Sequence, residues 1–190
     1  MSNEPTQDLL HQAVAHTLRK LQLCRYFYLA PSPGHGVGVF AARNFPAGSE
    51  IMQDREGDFF ERLITLDELK RSAIFDYALQ VGEDAYRVPS GGIEDFTNHS
   101  CTPNTGLRQV DDGIVVIALS DIAPHDEITF DYSTWQTATA LEFKCCCGAP
   151  NCRGTIAGFS SLPPRLQKYY IERDVVGRFV LERGRDRRAG

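Results

Sequence analysis

The sequence predicts a mostly-β domain (β+α), with one helix before the strands, one inserted among them and one after. From Arg25 onward the chain breaks into short aromatic or β-branched runs, "RYFYLA", "VGVFAA", "SEIMQD", "YALQVG" and "AYRVP", separated by Gly, Pro and Asp. Later turns, "DDG" at 111–113 and "APHDE", lead into "IVVIAL" and "ITFDY". Helical spacing is confined to three places.

Leu10, Val14, Leu18 and Leu21 recur at helical intervals and predict one amphipathic helix over residues 6–23. "TLDE", Thr65 to Glu68, has the capping-box spacing and is followed by "LKRSAIF", which predicts the inserted helix. A loop, "PSGGIEDFTNHSCTPN", comes next. After "SSLPP" a final helix is expected from about Arg165 to Glu182. No internal repeat, low-complexity tract or linker divides the chain. The expected organisation is an N-terminal helical extension (1–24), the main β domain (25–140), a cysteine-rich segment (141–158) and a C-terminal helix with a basic tail (159–190).

A length of 190 residues suits one domain with a real core. The net charge of −5 argues against a molecule built to bind nucleic acid directly. No window approaches the roughly 18 apolar residues of a membrane helix, so no membrane association is expected. The polar N-terminus has no uninterrupted apolar region of the secretory kind, which points to an intracellular protein, cytoplasmic or nuclear. The six cysteines are then expected as reduced thiols, used for metal or catalysis rather than disulfides. The tail "RGRDRR" reads as a solubilising extension.

Four of the six cysteines lie between Cys145 and Cys152. "CCCGAPNC" contains C-x-C-x4-C at Cys145, Cys147 and Cys152, and a tetrahedral zinc takes four ligands. The fourth is open on spacing alone: Cys146, Cys24, a histidine, or Cys101 arriving from "FTNHSCTPN". Cys24, beside aromatics, reads as core, and Cys146 between two ligands would point away from a metal.

Taken together, "GHGVGVFAARNFPAGSEI", "FTNHSCTPN", "DEITFDY" and "CCCGAPNCRG" resemble a SET-domain protein lysine methyltransferase with a post-SET zinc motif. The resemblance covers about Tyr28 to Ile156, as four separated motifs in the family's order. It implies a SET-domain fold of short strands in small sheets with a knotted cofactor loop. It also implies methyl transfer from S-adenosyl-L-methionine to a lysine ε-amine of a protein substrate, a histone tail or a non-histone protein. By this resemblance Gly36, Val37 and Gly38 form the G-x-G segment against the cofactor, and Asn98 and His99 sit at the knotted crossing and contact it. Tyr132 is the catalytic tyrosine, Phe130 leans toward di- or trimethylation, and Ile156 packs on the adenine, unless Trp135 does so or anchors the core. Cys101 becomes the fourth ligand of a structural Zn2+ with Cys145, Cys147 and Cys152.

Three departures accompany the resemblance. Asp95 stands where the family usually has an arginine ahead of "NHS". Arg55 lies near the expected second channel tyrosine, for which Tyr77 or Tyr86 is a spatial substitute. No cysteine-rich region precedes the core. Two other readings therefore stay open: a catalytically weakened SET module that binds a peptide or partner, and a small zinc-binding interaction protein without cofactor. Oligomeric state is not indicated.

Overall fold

The computed structural model describes residues 25–33, 36–54, 63–73, 78–89, 92–111, 113–137 and 142–186. The helix expected over 6–23, Cys24, His35, Arg55, Tyr77 and the last arginines of the tail lie outside the described residues.

In chain order the strands are β1 (Phe27–Ser32), β2 (Gly36–Ala41), β3 (Glu50–Asp54), β4 (Leu63–Ile64), β5 (Leu79–Gly82), β6 (Ala85–Arg87), β7 (Asn98–His99), β8 (Thr105–Val110), β9 (Gly113–Ala118), β10 (Thr129–Phe130), β11 (Phe143–Lys144) and β12 (Thr155–Ile156). The helices are α1 (Leu66–Lys70), α2 (Pro164–Glu172) and α3 (Arg178–Asp186). The strands form small sheets: β1-β2, β3-β9-β8, β4-β6-β5 and β11-β12 are antiparallel, and β10-β7 is a parallel pair. The expected short-strand β architecture is what the molecule has. No helix among the described residues is long and apolar enough to cross a membrane.

β9 organises the interior because every one of its residues is buried. A strand turns successive side chains to opposite faces, so one apolar strand can serve two cores. Ile114, Val116 and Ala118 join Phe27, Val39, Phe45, Ile128, Phe130 and Trp135 in the larger core. Val115 and Ile117 join Phe159, Leu162, Tyr170, Val175, Val176 and Val180 in a second one. Trp135 is 1% exposed and its indole N–H donates to Leu107 O at 3.0 Å, so it anchors the larger core.

Several expectations shift. The capping box at Thr65 forms as predicted: Thr65 Oγ1 accepts from Glu68 N at 3.3 Å, and Glu68 Oε2 accepts from Thr65 N at 2.8 Å. The helix that it starts ends at Lys70, well short of the apolar run that follows. The single C-terminal helix expected over 165–182 is two helices. α2 stops in a Schellman arrangement, with Asp174 N bonded to Ile171 O at 3.0 Å and Val175 N to Tyr170 O at 3.2 Å. The left-handed position is Asp174 (φ 55), not the glycine that usually announces such an end, and Val175 then packs back against the sheet. β8 was not expected. "TGLRQV" has little apolar alternation, and it becomes a strand by pairing along all six of its residues with β9.

Gly106 in β8 shows how closely α2 and its turn approach the sheet. A Cβ there would lie 2.7 Å from Val175 Cβ and 2.7 Å from its Cγ1. Gly106→Ala is therefore expected to lower stability by about 1–3 kcal/mol through overpacking, measured as a shift in the urea midpoint at unchanged slope. A neutral substitution would show that the Val175 turn moves freely.

Candidate active site and cysteine cluster

The parallel pairing of β7 and β10 brings "NHS" and "TFDY" side by side, with Asn98 opposite Thr129 and His99 opposite Phe130. Ser100 N donates to Phe130 O at 3.1 Å and continues that pairing. Asn104, the last residue of "FTNHSCTPN", ties the crossing together: its Nδ2 donates to Glu127 O at 2.8 Å and its Oδ1 accepts from Thr129 N at 3.0 Å.

Asn98 faces the G-x-G segment. Its Nδ2 donates to Val37 O at 3.0 Å and to Glu127 Oε1 at 2.7 Å. Gly38 lies directly beside them. A Cβ there would collide with the Glu127 carboxylate and come within 2.9 Å of Asn98 Nδ2. Gly36 has φ 74, a backbone region that glycine enters without steric penalty. Gly36, Val37, Gly38 and Asn98 are thus brought together, with Glu127 added to the set.

His99 is 2% exposed and points to the cysteines. Its Nε2 lies 3.3 Å from Cys101 Sγ, and its Nδ1 accepts from Tyr132 N at 3.2 Å. The same Nδ1 lies 3.6 Å from Asp131 Oδ1, so the imidazole stands between the Cys101 sulfur and the Asp131 carboxylate.

Tyr132 does not end a strand. β10 stops at Phe130, and Tyr132 opens a 3-10 turn, Tyr132–Trp135, capped by the Asp131 side chain. Its hydroxyl donates to Thr97 O at 2.9 Å, which leaves the phenolic oxygen's lone pairs as acceptors. Burial, reinforced by the negative charge of Glu127, pushes the phenol's pKa far up, so the group stays a neutral hydroxyl. Phe130 packs against it at 4.7 Å between ring centroids. Both residues line a cavity of about 130 Å³ walled by Leu107, Ile114, Val116 and Trp135, with Glu94 and Asp95 also at its boundary. Tyr86, a candidate for the absent channel tyrosine, is 4% exposed and is not among the lining residues.

The four proposed ligands converge. Cys101 Sγ lies 3.8 Å from Cys145 Sγ, Cys145 Sγ lies 3.5 Å from Cys152 Sγ, and the Cys101 N–H donates to Cys147 Sγ at 3.5 Å. Zn–S bonds of about 2.3 Å at tetrahedral angles set sulfurs about 3.8 Å apart, so the donor set and its spacing fit zinc. The ligand atoms of His99, Cys101, Cys145 and Cys147 also lie within 4.8 Å of one another. That mutually close set has His99 in the place of Cys152, which approaches it through Cys145. Burial raises the thiol pKa values of Cys101 and Cys145. Burial also opposes ionisation of Cys147, but N–H donors from Cys101 and Ala149 outweigh it and bring that thiol down to about 7. Cys146 is exposed, and Ile156 is buried against Cys101 and Cys145 at 4% exposure.

Sequence reasoning missed the group that joins these parts. Asp131 is fully buried and accepts from Arg153 Nη2 at 2.7 Å, Ser133 N at 3.1 Å and the Tyr170 hydroxyl at 3.1 Å. The cysteine-rich loop and α2 are thereby both fastened to the turn that carries Tyr132. Burial, reinforced by the Asp131 charge, raises the Tyr170 phenol pKa, and the same charge outweighs the penalty of burying the Arg153 guanidinium. The available signal was a carboxylate inside an apolar strand run, "ITFDY", which demands a buried partner.

A family model described as "SET domain" matches residues 36–133. The Schizosaccharomyces pombe histone-lysine N-methyltransferase, H3 lysine-4 specific, is 34% identical over 164 residues, 80% of this chain and 17% of that protein. The chain thus spans under a fifth of the length of that relative. The methyltransferase domain of human histone-lysine N-methyltransferase SETMAR superposes with a TM-score of 0.54 at 21% identity, over 70% of this chain and 58% of that one. Arabidopsis thaliana SUVH6 in complex with SAM superposes with a TM-score of 0.53 at 20% identity, over 68% of this chain and 33% of that one. The fold is that of these SET structures, and with more than half of its 190 residues matched by the family model, this chain belongs to the SET domain family.

Proposed function

We propose that the protein transfers a methyl group from S-adenosylmethionine to the ε-amine of a lysine in a protein substrate, with a histone tail as the substrate class. The observation that carries this reading is the position of Tyr132. Its neutral hydroxyl stands at an apolar cavity, while its backbone N–H holds the histidine beside Asn98 and the G-x-G cradle. The similarity to the fission yeast H3 lysine-4 enzyme supports the substrate class, and the SAM-bound SUVH6 structure supports the methyl donor.

When bound, S-adenosylmethionine supplies an electrophilic methyl on a sulfonium. The chain's own residues then have three tasks. The first is to obtain a neutral amine: a free lysine has a pKa near 10.4, and walls made by Leu107, Ile114, Val116, Phe130 and Trp135 disfavour its ammonium form by desolvation. The second is orientation. Because the Tyr132 proton is held by Thr97 O, its oxygen can accept from the amine and aim the nitrogen lone pair. The third is to hold the donor, assigned to Gly36, Val37, Gly38 and Asn98. Phe130 brings no hydroxyl that would keep a water in the cavity, in keeping with di- or trimethylation. Cys101, Cys145, Cys147 and Cys152 are assigned to a structural zinc, and Ile156, packed against Cys101 and Cys145, to the adenine.

The test is methyl incorporation from labelled S-adenosylmethionine into histone H3 and a lysine-rich protein mixture. Tyr132→Phe is expected to lower kcat by about 10²-fold while S-adenosylhomocysteine affinity, read by calorimetry, changes little. Cofactor binding with no transfer by the wild-type protein would instead identify a non-catalytic binding module.

A further inference from the structure

We infer that Glu127 is a positioning residue that sets the orientation of the Asn98 amide against the G-x-G strand; this rests on the cofactor reading above. The carboxylate bridges three segments far apart in sequence. Glu127 Oε2 accepts from Ser32 Oγ at 2.9 Å at the end of β1, and Oε1 accepts from Asn98 Nδ2 at 2.7 Å. Its own backbone is fixed from both sides, by a bridge between Phe40 and Glu127, and by Asn104 Nδ2 bonded to Glu127 O at 2.8 Å. Gly38 is the counterpart on β2. Any side chain there would displace the carboxylate, so the glycine makes room for Glu127 as well as for a ligand.

The consequence for Asn98 is chemical. An asparagine side chain has two near-equivalent orientations that exchange its oxygen and nitrogen. Glu127 accepts and cannot donate, so it admits only the orientation with Nδ2 toward Oε1. Val37 O, a second acceptor at 3.0 Å, enforces the same choice. Oδ1 is then the group left to meet a donor on a ligand beside Gly38, such as the α-amino group of S-adenosylmethionine. Glu127 acts on the ligand through Asn98.

Two readouts test this. Calorimetry with S-adenosylhomocysteine is expected to show about tenfold weaker binding for Glu127→Ala and for Asn98→Ala, the scale of one lost charge-assisted hydrogen bond. The double variant is expected to bind no more than about threefold more weakly than Asn98→Ala alone, because the two residues act as one unit. Glu127→Gln, which can still accept from Asn98, is expected to stay within about threefold of wild type. The second readout needs no ligand. In 15N-labelled free protein, the Asn98 side-chain amide resonances are expected to be displaced from free-amide positions in wild type and Glu127→Gln, and to move toward them in Glu127→Ala. Wild-type affinity in Glu127→Ala, losses that multiply in the double variant, or Asn98 resonances indifferent to Glu127 would each overturn the inference. A wild-type protein that binds no S-adenosylhomocysteine defeats the cofactor reading, while the amide resonances still decide the role of Glu127.

Discussion

Cys101→Ser is expected to lower zinc affinity by more than about 100-fold and to loosen the segment from Cys145 to Arg153. Cys101 stands alone in sequence, 44 residues from Cys145, yet its sulfur is 3.8 Å from that thiol and accepts from the Arg153 N–H at 3.3 Å. Around it the two loops are stitched by neutral hydrogen bonds, from Thr102 Oγ1 to Asn151 Oδ1 and from Asn151 Nδ2 to Cys101 O at 3.5 Å. Such bonds contribute about 1 kcal/mol each, against 10–16 kcal/mol for a structural zinc in peptide models. Serine offers no thiolate, and loss even of a group that only supports a ligand weakens metal sites by 10–100-fold. The check is zinc per chain after equilibration with a competing chelator, together with protease cleavage between Cys145 and Arg153. Cys146→Ser serves as control, since that thiol is exposed. Cys152→Ser should behave like Cys101→Ser, and His99→Gln should retain metal. Full zinc content in Cys101→Ser would mean that the metal is held by the distal loop alone.

Arg153→Ala is expected to destabilise the protein by about 3–5 kcal/mol, a large part of the 5–15 kcal/mol typical of a folded domain. The reason is the group left behind. Asp131 has no solvent exposure, and without the guanidinium at 2.7 Å its charge rests on two neutral donors, Ser133 N and the Tyr170 hydroxyl. Removing one partner of a buried pair exposes the full desolvation penalty of the other, whereas removing both can be nearly neutral. Arg153→Met combined with Asp131→Leu should therefore recover much of the loss. Urea unfolding of the wild type and the two variants measures the difference. An Arg153→Ala protein within about 1 kcal/mol of wild type would mean that water replaces the guanidinium.

Much of this was legible from contiguous signals. The β-branched runs marked β1, β2, β3, β5, β6 and β9 because each alternates or is continuously apolar over several residues. The Thr65 capping box was readable because it is a local exchange of hydrogen bonds. β4, β7, β11 and β12 have two residues each, too few to carry a period, and exist only because distant segments pair, whereas the two-residue β10 lies within the expected run "ITFDY". The break between α2 and α3 was hidden for a similar reason. Asp174 has no glycine's freedom, and the turn is held by tertiary contacts: Arg108 Nη2 bonds Arg173 O at 3.0 Å, and Val175 packs above Gly106. In the site, Asn98, His99, Cys101 and the Cys145–Cys152 cluster stood out as unusual strings. Glu127, Asp131, Arg153 and Tyr170 did not, because each is a common residue whose meaning lies in partners 20 or more positions away.

The double-faced burial of β9 bears on how the molecule comes apart. A strand that supplies alternate residues to two cores cannot be released by opening either one alone. The C-terminal helices and the layer carrying Tyr132 therefore form one cooperative unit rather than a body and an appendage. Peeling α2 and α3 away, with Val175 in the turn between them, would uncover Val115 and Ile117 as an adhesive stripe along the middle sheet. Losing these helices would expose that stripe to chaperones and proteases, with Tyr132 and Asp131 still present and no longer held.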